Sequence, residues 1–302
     1  MSAGLLGTEE LDRVEIESIL ARAKDFQPLQ NESVKRLDIL RGKMIVNLFF
    51  ESSTRTRISF EIAAKRLGAD TVSITAAGSS VSKGESLVDT LNTLAAMRPN
   101  AIVMRHAASG APHFLARHLA IPIVNAGDGT HEHPTQALLD ARTILDRRGT
   151  LEKLRVAIIG DIAHSRVARS NVHLLSKFGA DIVLCGPATL LPPELARIAK
   201  GVTLTHDIRE AIRDSDVIMM LRVQLERQNE TPFSASEYFQ FYGLRLEHLA
   251  LARPDAIVMH PGPINRGREL SSEVADSQRS VILNQVENGV AVRMAVLERI
   301  IG

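Results

Sequence analysis

Met44-Ile45-Val46-Asn47-Leu48-Phe49-Phe50 runs straight into Glu51-Ser52-Ser53-Thr54-Arg55-Thr56-Arg57-Ile58-Ser59-Phe60-Glu61, and the junction decides how the chain is read. The first part is an apolar run interrupted only by Asn47, the pattern of a strand buried on both faces. The second is helical by Ile58, because Phe60, Ala63, Ala64 and Leu67 fall at i, i+3, i+4 and i+7 and make one apolar face. A buried strand passing directly into an amphipathic helix is the building unit of a parallel sheet covered by helices.

The unit recurs. Strands are predicted over 44–50, 70–74, 101–104 and 122–124, then over 155–159, 181–184, 202–204, 217–221 and 256–259, with helical stretches between them. The fold class is therefore α/β. A chain of 302 residues exceeds the size at which one core usually stops growing, so two domains are expected, each a mostly parallel sheet flanked by helices. The helical pattern over 133–149 is the connector. It divides the chain near residue 133.

Composition removes several function classes. Lys plus Arg total 36 against 35 for Asp plus Glu, a net charge of +1, so no global field draws nucleic acid or a membrane surface. Aromatic residues make up 4% and Trp is absent, which leaves little for base stacking. The one cysteine, Cys185, excludes an internal disulfide and suits a reducing compartment. No apolar run approaches the roughly 18 residues of a membrane span. Residues 1–10 lack the basic and apolar blocks of a signal peptide, so a cytoplasmic location is expected.

Anion binding must then come from local clusters. At the join after Phe50, a helix N-terminus supplies free N–H groups and the positive end of the dipole. Ser53, Thr54 and Thr56 add hydroxyls, and Arg55 adds a forked cation. The same residues also read as an ordinary Ser/Thr cap with solvated arginines. Arginines at a helix start oppose the dipole, and an anion would account for them. Gly78-Ser79-Ser80-Val81-Ser82-Lys83-Gly84-Glu85 is a loop with a lysine between glycines, followed by a capping-box start at Ser86. Arg105 follows a predicted strand, where ligands gather in parallel sheets, and His106 beside it reads as packed or capping.

Thr130-His131-Glu132-His133-Pro134-Thr135-Gln136 opens the connector. Two histidines separated by one residue, with no third ligand at a suitable spacing, give no metal site, and none is expected. Pro134 suits the first helical position, so His133 is the N-cap and meets Gln136 at i, i+3. A helix N-terminus disfavours imidazolium, so His133 is expected to be neutral. Gly160-Asp161-Ile162-Ala163-His164-Ser165-Arg166 has one glycine where a dinucleotide fingerprint needs three, so no cofactor is implied. Arg169 is expected on the helix surface. Arg222 and Gln224 point the same way from an extended chain, in what also reads as a polar loop. His260-Pro261-Gly262-Pro263-Ile264-Asn265-Arg266-Gly267 is an irregular turn.

Ser53-Thr54-Arg55-Thr56-Arg57 followed by Ser59-Phe60-Glu61 resembles the carbamoyl-phosphate signature of the aspartate and ornithine carbamoyltransferases, a likeness that runs from about Leu40 to Leu297. It implies that residues 1–132 plus 285–302 bind carbamoyl phosphate and that 133–284 bind the amino acid. Ser53, Thr54, Arg55 and Thr56 would hold the phosphate, with Arg57 structural. Arg105 would contact the carbonyl oxygen and phosphate. His133-Pro134-Thr135-Gln136 resembles the family's HPTQ motif, whose His donates to the carbonyl and whose Gln binds the carbamoyl amide. The loop at Lys83 resembles one that enters a neighbouring subunit's site, which implies a homotrimer with shared sites. Ser79 would accompany Lys83, with Ser80 and Ser82 as alternatives. Arg166 would grip the aspartate α-carboxylate. Arg222 and Gln224 resemble the RVQxER segment of the aspartate branch, and an arginine there would repel ornithine. The turn at Gly262 and Pro263 lacks the cysteine that ornithine enzymes carry. Its carbonyls would receive the carbamoyl amide, with a cis Gly262–Pro263 bond expected. Regulatory chains and dihydroorotase are partners known in the family, but no residue of this sequence indicates them.

Overall fold

The structure, a computed structural model, describes residues 4–33, 35–75, 87–223 and 234–302. The chain divides into two compact units, residues 1–142 with 287–302, and residues 143–286.

In the first unit, β1 (Met44–Phe49), β2 (Asp70–Thr75), β3 (Ala101–His106) and β4 (Ile123–Asp128) form a parallel sheet in the order β2-β1-β3-β4. Around it lie α1 (Arg13–Phe26), α2 (Thr54–Arg66), α3 (Leu87–Ala96) and α4 (Ala111–Ala116). The largely apolar reading of β1 and β3 is explained by burial on both faces, as is that of the start of β4, whereas the edge strand β2 is exposed or half-buried throughout. On one face Leu48, Ile102, Met104 and Ile123 pack with Leu91 and Leu115 of the helices. Strand order reverses between β1 and β3, and such a reversal opens a crevice at the strands' C-terminal ends.

In the second unit, β5 (Arg155–Ile159), β6 (Asp181–Cys185), β7 (Val202–Thr205), β8 (Val217–Met220) and β9 (Ile257–Met259) are again parallel, in the order β7-β6-β5-β8-β9. Its helices include α6 (Arg166–Ser176), α7 (Ile208–Ile212), α8 (Ala235–Tyr242), α9 (Leu246–Leu249) and α10 (Ser272–Ala275). Here the reversal lies between β5 and β8. Ala157, Ile159, Ile218, Met220 and Val258 build the core on one face with Ile208 and Ile212 of α7.

Helix α5 (Pro134–Arg148) opens with Pro134 at its first position, and α11 (Ile282–Ile301) closes the chain. The unit boundaries fall inside these helices, after Arg142 and after Val286, rather than at residue 133 and residue 285. The first unit runs to Arg142, so the N-terminal turns of α5 belong with β4. No helix among the described residues is long and apolar enough to cross a membrane.

Candidate active site

Helix α2 begins without the usual side-chain cap. Ser53 has the extended backbone of an N-cap, φ −161° and ψ 92°, but its hydroxyl makes no capping bond. It donates instead to Thr56 Oγ1 at 3.0 Å. No acidic residue stands in the first turn. The dipole end and the first-turn amides therefore lie beside hydroxyls and Arg55, not beside a carboxylate. By contrast, Ser165 caps α6 conventionally, accepting from Ala168 N–H at 3.1 Å. Arg57 is half-buried and makes no ion pair with any described residue.

The strand register places the next cation. Phe49 pairs with Arg105 across β1 and β3, and Phe50 N–H donates to the Arg105 carbonyl at 2.9 Å. Arg105, 9% exposed, thus sits beside the chain that leads into Ser53. Its guanidinium donates to Glu51 Oε1 at 2.7 Å and to the Ala126 carbonyl at 3.2 Å. His106 is packed, as expected. Its ring stacks edge-on against Phe50 at 5.5 Å, its Nδ1 accepts from Ala108 N–H at 2.8 Å, and burial lowers its pKa.

The β3–β4 register shifts after Met104–Asn125, so that His106 stands opposite Asp128. This bulge carries a buried polar hub that the sequence did not reveal. Asp128 Oδ1 accepts from Asn125 Nδ2 at 2.8 Å and from Glu132 N–H at 3.1 Å, while Oδ2 accepts from Gly110 N–H at 2.6 Å. Burial works against its charge, but hydrogen bonds from His131, Asn125 and Gly110 outweigh it and hold the carboxyl below its ordinary range. Glu132 accepts from Thr8 N–H and Oγ1 and from Glu9 N–H, at 2.8, 2.7 and 3.1 Å. These bonds pin the N-terminal segment under the turn that leads to His133. His133 is buried at the head of α5, and its carbonyl accepts Gln136 N–H at 2.9 Å. Gln136 donates from Nε2 to Asp140 Oδ1 at 2.9 Å, which turns its amide oxygen the other way.

Behind α2 lies a second feature the sequence did not reveal. Arg293 of α11 is 4% exposed. It donates to Ser59 Oγ at 2.9 Å and to the Gly289 carbonyl at 3.0 Å, with its guanidinium 5.1 Å above the Phe60 ring. Burial pushes its pKa down to about 10 against the pull of Asp140. The helix carrying Ser53 to Thr56 is thus tied to the helix carrying His133 and Gln136.

In the second unit, Arg166 follows β5 at the first position of α6 and is 5% exposed, and Arg222 follows β8, half-buried. Both lie at the β5/β8 reversal. Gly160 is required where these connections meet: its φ is +142°, and a Cβ there would lie 2.9 Å from Leu221 Cβ. Asp161, fully buried, binds His164 Nδ1 at 2.8 Å. Arg169 is not the surface residue expected. It is half-buried and donates to the Ala163 carbonyl at 3.1 Å, because the turn before α6 folds back over it. The 260s turn has the expected cis Gly262–Pro263 bond. His260 Nδ1 accepts Gly262 N–H at 2.8 Å. Buried Glu269 accepts from Asn265 N–H at 2.8 Å and from Val223 N–H at 3.2 Å, which fastens this turn to the residue after Arg222. Ser79, Lys83 and Gln224 lie outside the described residues. Cys185 is buried in β6 with its thiol pushed up to about 12 by burial, so it offers no thiolate at neutral pH.

Comparison with known proteins gives a consistent answer. Residues 4–146 match the family domain described as aspartate/ornithine carbamoyltransferase, carbamoyl-P binding domain, and residues 152–300 match its Asp/Orn binding domain. The aspartate carbamoyltransferase catalytic subunit of Solibacter usitatus is 82% identical over 302 residues, covering all of both chains. The corresponding subunit of Geotalea daltonii is 54% identical over 99% of this chain and 96% of its own. Among solved structures, aspartate transcarbamoylase from Trypanosoma cruzi in complex with N-(phosphonacetyl)-L-aspartic acid superposes with a TM-score of 0.90 at 33% identity, over 99% of this chain and 96% of that one. Ornithine carbamoyltransferase from Pyrococcus furiosus gives 0.88 at 31%, over 99% and 97%.

Proposed function

The chain belongs to the aspartate/ornithine carbamoyltransferase family, and we infer that it is an aspartate enzyme, moving the carbamoyl group of carbamoyl phosphate to the amine of L-aspartate to give N-carbamoyl-L-aspartate and phosphate. Fold similarity does not separate the two branches, since the aspartate and ornithine enzymes superpose almost equally well, at 0.90 and 0.88. The 82% identity along the whole chain is to an aspartate enzyme, and Arg222 at the end of β8 supports the same choice. The product is a precursor of the kind pyrimidine biosynthesis uses.

The observation that carries the reading is the start of α2, which no side chain caps, held beside Arg105 by the β1–β3 register. Ser53, Thr54, Arg55 and Thr56 receive the phosphate there. Thr56, Arg105 and His133 donate to the carbonyl oxygen, on which negative charge grows as the amine attacks. Gln136, oriented by Asp140, accepts the carbamoyl N–H together with the carbonyls at Gly262 and Pro263. Arg166 and Arg222, with Gln224, take the two carboxylates of aspartate. The C–N bond forms as the C–O bond to phosphate breaks, and the departing phosphate takes the amine's proton. No cofactor is needed, because phosphate is already a good leaving group. Positioning and charge stabilisation carry the rate.

The active enzyme on this reading is a cytoplasmic homotrimer in which Ser79 and Lys83 serve a neighbouring subunit's site. The test is a carbamoylation assay with aspartate and ornithine side by side. Turnover of aspartate alone is expected, and turnover of ornithine alone overturns the assignment. Mixing Arg55→Ala with Lys83→Ala protein is expected to restore part of the activity. If the trimers exchange subunits and no activity returns, site sharing is wrong.

A further inference from the structure

His131 plays no part in the proposed reaction. It and His133 suggest no metal site by their spacing, yet the fold supplies His131 with partners that spacing cannot show. His113 comes from α4, and Asp128 from the end of β4. One ligand atom from each of His113, Asp128 and His131 lies within 4.8 Å of the other two. His131 Nδ1 stands 3.0 Å from Asp128 Oδ2, and the two imidazole rings are 5.2 Å apart, edge to face. We propose that His113, Asp128 and His131 form a binding site for a divalent transition metal of the zinc class.

Three features of the cluster support this. The first is the donor set. Two imidazoles and a carboxylate are the ligands zinc takes, and tetrahedral zinc at ~2.0–2.1 Å sets its ligand atoms about 3.3 Å apart. The His131–Asp128 separation already matches. The remaining ligand atoms lie within 4.8 Å of one another, and the His113 and His131 side chains, 22% and 36% exposed, have room to close on an ion. The second is Glu10, whose Oε1 lies 2.9 Å from His113 Nε2. A ligating histidine commonly gives its other N–H to a carboxylate, which fixes the tautomer. With Nε2–H donated to Glu10, the lone pair lies on His113 Nδ1, and that nitrogen is buried with no hydrogen-bond partner. If Nε2 binds the ion instead, Glu10 is close enough to be a fourth ligand.

The third is the accounting at Asp128. Oδ1 is occupied by Asn125 and Glu132, while Oδ2 accepts Gly110 N–H at 2.6 Å and His131. An oxygen with two lone pairs can keep the Gly110 bond and exchange the His131 proton for a metal ion. The buried hub therefore survives binding, and the ion adds a link from α4 to the turn that carries His133. His133 itself is not among the ligands. Binding displaces a proton from imidazole, so affinity falls as the pH falls.

The test uses the full-length protein freed of metal with chelator and titrated with Zn²⁺ by calorimetry and with Co²⁺ by visible absorption. Saturation at one ion per chain, an intense tetrahedral-type Co²⁺ band and a raised melting temperature are expected. His113→Gln and His131→Gln change partly exposed rings, and each is expected to weaken binding at least tenfold. Glu10→Gln should weaken it about tenfold, the effect expected of an outer carboxylate. His164→Gln, in the other unit, should leave binding unchanged. Absence of saturable binding overturns the proposal, as does undiminished binding in the His113→Gln/His131→Gln double variant.

Discussion

Replacing Asp140 by leucine separates two roles that meet in one carboxylate. Asp140 is fully buried and opposes the charge of Arg293, itself 4% exposed. Holding a guanidinium charged when burial has brought its pKa from 12.5 to about 10 costs about 3 kcal/mol, at roughly 1.4 kcal/mol per tenfold change in ionisation. That cost stands with Asp140 present. Removing Asp140 takes away the carboxylate whose field offsets part of that cost and leaves the buried cation with the Ser59 hydroxyl and the Gly289 carbonyl as described acceptors, a loss on the order of 1–3 kcal/mol. The expected result for Asp140→Leu is a loss of that size in urea unfolding at fixed protein concentration, with unchanged slope. Arg293→Met alone removes the buried cation that Asp140 offsets and should cost up to a similar amount, whereas the double variant should return to within about 1–2 kcal/mol of the parent. Gln136 behaves differently. Its amide orientation depends on the 2.9 Å bond to Asp140, which the double variant does not restore. The KM for carbamoyl phosphate should stay raised about tenfold in both Asp140→Leu and the double variant, the effect of one hydrogen bond. A double variant no more stable than either single one refutes the charge argument. A normal KM in a stable double variant refutes the positioning argument.

Gly289→Ala tests the same cluster sterically, since its Cβ would lie 2.7 Å from Arg293 Nη1 and 3.2 Å from Leu139 Cδ2; a loss of about 1–3 kcal/mol is expected in the same unfolding assay, despite alanine's better helix propensity. Ser53→Ala should leave stability within about 0.5 kcal/mol, because the hydroxyl caps no amide, yet raise the KM for carbamoyl phosphate; a loss near the ~1 kcal/mol of a true cap would show that the serine is structural. Glu269 has its carboxyl pushed up by burial, so the unfolded chain releases this proton first as pH rises. Stability of the parent relative to Glu269→Gln should therefore fall from the ordinary glutamate range upward through the raised value and be flat below it. Urea midpoints measured across that range check the sign, and a difference independent of pH sinks the argument.

The fold was legible because the inner parallel strands, such as β1, β3, β5 and β8, are buried on both faces and announce themselves as largely apolar runs, and the longer helices as a 3.6-residue stripe. The start of α2 stood out in the sequence because hydroxyls and arginines at a helix start are an electrostatic oddity, and the structure shows that helix start uncapped beside Arg105. Arg293 did not stand out. An arginine on a helix looks solvated, and only the packing of α11 against α2 and α5 shows that Arg293 is buried beside residues roughly 150–230 positions away. Arg169 misled for the same reason: helical position predicts a face, but not that the preceding turn will cover it. The neighbours of His131 could not be read from spacing, because His113 belongs to another element. Periodicity reports on one element at a time, whereas these features arise between elements.

The two sheets place cations by one topological device and use them differently. In each, the central strand has a neighbour on either side, and the order reverses there, so the chain leaving the strand must open a crevice. Ser53 and Arg105 flank the β1/β3 reversal, and Arg166 and Arg222 flank β5/β8. The helix that follows is capped in one case and not in the other. Ser165 satisfies a first-turn amide of α6, so an anion there must be met by arginine side chains, whose reach suits carboxylates on a flexible amino acid. Ser53 satisfies none in α2, so the backbone itself can take the anion, which suits a compact phosphate presenting several oxygens at once. On that argument, substituting Thr for Ser53 should be tolerated in both stability and KM, because what the position must provide is a hydroxyl that leaves the amides alone. If Ser53→Thr binds carbamoyl phosphate as weakly as Ser53→Ala, the amides are not the principal contact and the side-chain hydroxyl's own geometry is.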